Sequence, residues 1–137
     1  MTTLTAFYTA LKTLSVTGVT TSYNYPPLSL NSVALPAKWA ELPAPAEEIA
    51  AMTFKSNGGW PLLKGRLVIA VSPVGQDVQD QNYADTLTMA DALNTAFSGA
   101  TVSTFSKGPL EWTVTVAIIS IANVDYWAVI SEVTGHG

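Results

Sequence analysis

The sequence predicts an α+β fold, with one mainly antiparallel sheet of about five strands and two helices packed on it. Two stretches repeat apolar residues at helical spacing, and several others alternate apolar and polar residues as half-buried strands do. Most of the alternating stretches are separated by short turn signals, which favour antiparallel hairpins. The 137 residues, 48% of them apolar, suit a single domain over 1–137 with one buried core.

Leu4, Phe7, Tyr8, Leu11 and Leu14 form the stripe of a first helix. Thr2 or Thr3 can cap its start, and Val16 to Gly18 should end it. Val19, Thr21, Tyr23 and Tyr25 then alternate along a strand that Pro26-Pro27 stops. Residues 26–46 hold five prolines and read as a long stiff loop, with Trp39 pinning it to the body of the protein. Ile49 to Lys55 and Leu63 to Val71 should form a hairpin about the turn Ser56-Asn57-Gly58-Gly59.

Asp77 or Asp80 can cap a second helix near 80–97, whose stripe is Tyr83, Leu87, Ala90, Leu93 and Phe97, with Gly99 at its end. Lys107-Gly108-Pro109 is a turn. Trp112 to Ile119 and Val124 to Val133 make a closing hairpin about a tight turn near Asn123. This hairpin is apolar on both faces, whereas a sheet covered on one side should be polar on the other. Either the 26–46 loop buries the second face, or a partner subunit does.

Composition narrows the function. Charged residues make up 12%, about half the usual share, and 11 Ser and 17 Thr take their place. The net charge is −4, and the six Lys and Arg are scattered, which argues against a nucleic-acid binder and against an acidic membrane surface. Without cysteine there are no disulfides and no thiolate zinc sites. Met1-Thr2-Thr3-Leu4 lacks the basic and apolar regions of a signal peptide, and no apolar run approaches about 20 residues. The expectation is a soluble protein made in the cytoplasm.

Catalytic constellations are not visible. The single histidine, His136, lies one residue from the end and makes a poor general base. Glu47-Glu48 precede a strand and point to opposite faces, and Asp77, Asp80 and Asp85 are explained by helix capping and the helix dipole. No glycine-rich phosphate loop occurs. The expectation is no enzyme, with no catalytic, cofactor or metal residues. Trp39, Trp60, Trp112 and Trp127 either stack on a sugar or belong to core and interface.

The short acidic chain, its opening amphipathic helix, Tyr23-Asn24-Tyr25-Pro26-Pro27, Leu35-Pro36-Ala37-Lys38-Trp39, and the hairpin–helix–hairpin order together resemble the tail terminator (tail completion) proteins of long-tailed bacteriophages. The resemblance covers nearly the whole chain in size and element order and rests on no invariant motif. It implies a virion protein forming a homohexameric ring that caps the tail tube, ends its polymerisation and joins it to the head connector or stopper protein. DNA would pass through the lumen without specific binding, which suits an acidic, lysine-poor chain. Rings arise from head-to-tail contacts that close. Tyr23, Tyr25, Trp39 and Trp60 are the candidate subunit or partner contacts, because Tyr and Trp are enriched at interface hot spots. The rival readings are another ring component of the junction (a stopper, head-completion or tail-tube protein) and a monomeric carbohydrate-binding module.

Overall fold

A computed structural model of the protein describes residues 4–30, 32–41, 50–51, 62–74, 79–99 and 111–136. Two helices lie on one face of a single mixed sheet, an α+β fold as the sequence predicts. The helices are α1 (Leu4–Thr13) and α2 (Gln79–Ser98). The strands are β1 (Thr21–Tyr23), β2 (Ala37–Glu41), β3 (Ala50–Ala51), β4 (Leu62–Pro73), β5 (Glu111–Trp112), β6 (Thr115–Ile121) and β7 (Val124–His136). Seven strands is more than the expected five, and the lanes of the sheet explain the difference. β2 and β3 follow one another along one edge of β4, and β5 and β6 follow one another along one edge of β7. Two lanes are therefore interrupted, and the order across the sheet is β1, β2/β3, β4, β7, β5/β6.

The interruption between β5 and β6 has a local cause. Thr113 N still donates to Glu132 O at 3.0 Å, but Glu132 N bonds the Thr113 hydroxyl at 3.2 Å. A side chain stands in for a backbone carbonyl, while the register stays constant across the break.

The long-loop expectation for 26–46 needs correction. Residues 37–41 are not loop but β2, which pairs antiparallel with β4 and parallel with β1. The true connection is 24–36, with a short 3-10 turn at Ser32–Ala34, and 42–46 lie outside the described residues. Pro36 misled the reading, yet its carbonyl accepts from Thr20 N at 2.8 Å and its own position just precedes the strand, where proline is tolerated. The expected hairpin of 49–55 with 63–71 is present where described, since Ala50 and Ala51 pair with Leu63 and Leu62. Its turn lies outside the described residues, as does the turn at 107–109.

The main core fills the space between helices and sheet: Phe7 and Leu11 from α1, Met89, Leu93 and Phe97 from α2, and Leu63, Leu67, Ile69, Val129 and Val133 from the sheet. α1 covers the β1–β2–β4 half and α2 the β4–β7–β6 half. A second cluster lies on the opposite face, with Ala37, Trp39, Val68, Ala70 and Tyr126 under Tyr23, Leu30 and Leu35. The chain's own connection thus buries part of the second face. Towards β6 that face continues as Ile119, Ile121 and Ile130, each only partly buried.

The stripe of α2 is rotated from expectation. Its buried row is Asn82, Thr86, Met89, Leu93 and Phe97, whereas Tyr83 and Leu87 are 48% and 44% exposed. Two polar residues can occupy the buried row because each has a local partner. Asn82 Nδ2 donates to Pro73 O at 3.3 Å, and the Thr86 hydroxyl donates to Asn82 O at 2.7 Å.

Candidate interaction surfaces

Of the four residues singled out by sequence, the described three, Tyr23, Tyr25 and Trp39, do not form one site. Tyr23 and Trp39 are cross-strand neighbours of β1 and β2 and share the second-face cluster. Trp39 is 2% exposed, and its indole Nε1 donates to Glu41 Oε2 at 2.9 Å. Its role as a contact for another chain is corrected: it is core, anchored at its polar end, and a partner cannot reach it. Tyr25 is 69% exposed and remains available. Trp60 lies outside the described residues, as does the 56–61 turn.

The three described tryptophans, Trp39, Trp112 and Trp127, also do not align as a sugar platform. Trp39 faces one side of the sheet, while Trp112 stacks on Phe97 at 5.5 Å and Trp127 meets Tyr83 edge-on at 5.6 Å, both on the helix side. Trp112 is further fixed by Nε1 donating to Asn94 Oδ1 at 2.9 Å.

Charge on the second face is gathered into one row. Glu41, Arg66 and Glu132 are successive cross-strand neighbours, and the guanidinium reaches Glu132 Oε1 at 3.1 Å and Glu41 Oε1 at 3.4 Å. Burial alone would lower the arginine pKa, but hydrogen bonds to Glu132 and Glu41 and their charges outweigh it and raise the value. This row is a structural tie across three strands, one guanidinium bridging two carboxylates.

A groove runs along the outer flank of α1. One part is lined by Lys12, Thr13, Ser15, Thr20, Thr21, Ser22, Asn24 and Lys38. The other, about 570 Å³, is lined by Tyr8, Lys12, Asn24, Tyr25, Pro26, Ala40 and Glu41. The Lys38 side chain is 3% exposed, and its Nζ donates to Lys12 O at 2.8 Å. Lysine can be buried here because it satisfies a carbonyl left over at the C-terminal turn of α1, where the helix dipole also favours a cation. Burial nevertheless pushes its pKa below the ordinary value. The Tyr8 hydroxyl donates to Lys64 O at 2.8 Å, and burial raises its pKa.

Large apolar side chains reach solvent at two places. Tyr25, Leu28 and Val33, on the connection beside β1, are 69%, 93% and 80% exposed. At the opposite side of the sheet, Tyr83 and Leu87 of α2 and Ile118 of β6 are 48%, 44% and 53% exposed. Tyr83 and Ile118 meet through Trp127, which touches the tyrosine ring and is the cross-strand neighbour of the isoleucine. This second surface is hidden in the sequence, where Tyr83 and Leu87 fall on the apolar stripe expected to be core. The available signal was the alternative row at 82, 86, 89, 93 and 97, hidden by its asparagine and threonine.

β6 is also an edge strand. The two-residue turn Ala122-Asn123 makes Ile121 and Val124 a hydrogen-bonded pair, so 119, 117 and 115 bond β7 as well. The N–H and C=O groups of Val116, Ile118 and Ser120 therefore point outward, and among the described residues none pairs with them. This edge has no charge, proline or glycine to protect it.

Among the described residues no three His, Asp or Glu side chains lie close enough to hold a metal ion, and no helix is long and apolar enough to cross a membrane. His136 ends β7, opposite Leu62, rather than trailing from the fold. No protein-family model matches the chain, and a search of the curated proteins finds no match.

Proposed function

We propose that the chain is a ring-forming structural protein of the phage virion, capping the tail tube, ending its growth and joining it to the head connector or stopper. The reading treats it as a non-enzymatic protein whose working surfaces are contacts with copies of itself and with its neighbours along the tail. One observation supports it most: exposed apolar side chains occur at two separate places, Tyr25, Leu28 and Val33 on the connection that follows β1 and Tyr83, Leu87 and Ile118 on α2 and β6. Contiguous exposed apolar surface marks sites of association. Two unlike surfaces on one chain suit a head-to-tail contact, which gives rings when the rotation closes. The low charge content fits a chain that spends much of its surface on such contacts, and a net charge of −4 fits a lumen through which DNA slides.

Negative-stain electron microscopy of the purified protein tests this. Closed six-membered rings with a central hole of about 20 Å or more, wide enough for duplex DNA, are expected. Compact particles without a hole, or open filaments, would contradict the reading.

A further inference from the structure

The two apolar edges differ in shape and in charge. The α1–β1 edge is concave, the groove of about 570 Å³ that Tyr8, Lys12 and Tyr25 line. The α2–β6 edge offers projecting side chains, Tyr83, Leu87 and Ile118. The chain is also divided electrically. Residues 67–137 carry seven Asp and Glu against Lys107 alone, whereas residues 1–66 carry five Lys and Arg against three Glu. Among the described residues, α1, β1 and β2 make one side of the fold and α2 and β6 the other, with β4 and β7 between them. Among the described residues, the α2–β6 side has exposed Asp91, one turn beyond Leu87, and exposed Asp125, opposite Ser120 of β6, with no Lys or Arg. Lys12 lines both parts of the groove.

We infer that the α2–β6 edge of one copy docks into the α1–β1 groove of the next, Tyr83, Leu87 and Ile118 packing against Tyr25 with Lys12 facing the acidic side chains. Self-pairing of two β6 edges would bring two acidic sides together, and like charges across an interface are unfavourable. The groove offers the opposite sign through Lys12, while Glu41, which also lines it, is already paired with Arg66. A head-to-tail contact also withdraws both free edges of the sheet from water, β1 in one copy and β6 in the other. The inference deepens the ring-forming reading and rests on it in one respect, that copies of this chain associate.

Two single variants and their mixture test the pairing. Leu87→Glu spoils the projecting edge and leaves the groove intact; Tyr25→Ser spoils the groove and leaves the projecting edge intact. Both side chains are exposed, and unchanged circular dichroism separates a lost contact from a lost fold. If either spectrum changes, Tyr83→Ser and Lys12→Glu take their places. Each variant alone is expected at the monomer mass of 14.5 kDa by light scattering. Mixed in equal amounts, they should form a dimer of about 29 kDa and nothing larger, because one intact contact remains per pair. Raising the salt should weaken that dimer. Either variant keeping the wild-type mass, or a mixture that stays monomeric, overturns the pairing. If the wild type is a hexamer that both variants preserve, the pairing falls and the ring stands. If the wild type is monomeric at every concentration, both fall.

Discussion

Gly65 sits where α1 crosses β4, and the fold has no room there for a side chain. A β-carbon would lie 2.6 Å from Leu11 Cδ1 and 3.1 Å from Phe7 Cε2. Both neighbours are fully buried, so neither can step aside into solvent. Gly65→Ala is therefore expected to lower stability by about 1–3 kcal/mol, read from a shift in the urea midpoint with an unchanged slope. A neutral result would mean that α1 does not seat on β4 as described. Gly18 is needed for a different reason, its positive φ of 93° at the turn that leads from α1 into β1. The same scale explains why a lysine lies beneath α1: Lys38 is tolerated for the carbonyl it satisfies, and no carboxylate partner is required.

The closing hairpin shows what an element can reveal before any coordinates exist. The apolar stretches from Trp112 to Ile119 and from Val124 to Val133 mark its strands, and Asn123 marks its turn. The turn itself is built from Ala122 at φ 52° and Asn123 at φ 64°, and alanine pays for the left-handed conformation without the local hydrogen bonding that asparagine offers. Ala122→Asn is expected to raise stability by about 0.5–1 kcal/mol in the same urea titration; a loss would contradict the turn geometry. Helix α2 was legible in position but not in rotation. Its sequence offers two apolar rows, and the fold buries the one containing Asn82 and Thr86 because Pro73 O and the helix backbone satisfy them. β2 was illegible for a related reason. It is short, flanked by prolines, and buried on both faces, so Ala37, Trp39 and Ala40 carry no alternation to read, and its one polar interior residue, Lys38, looks like a surface residue. Tyr25 kept its place as a surface candidate, while Trp39 became core once β2 was part of the sheet.

At the scale of the whole molecule, the sheet is finished on its helix face and partly finished on the other, where the 24–36 connection covers Trp39 and Tyr126. Among the described residues, nothing covers its sides. β1 offers a groove with a lysine, and β6 offers an unprotected edge flanked by exposed apolar and acidic side chains. In the proposed function these two sides pair between copies, and closure of the repeat makes a ring rather than a fibre. Native mass by light scattering behind a sizing column, at high protein concentration, tests that claim most directly. A single species near six times 14.5 kDa, about 87 kDa, is the predicted result. A species that stays at 14.5 kDa across the concentration range, or stops at a dimer, would contradict it.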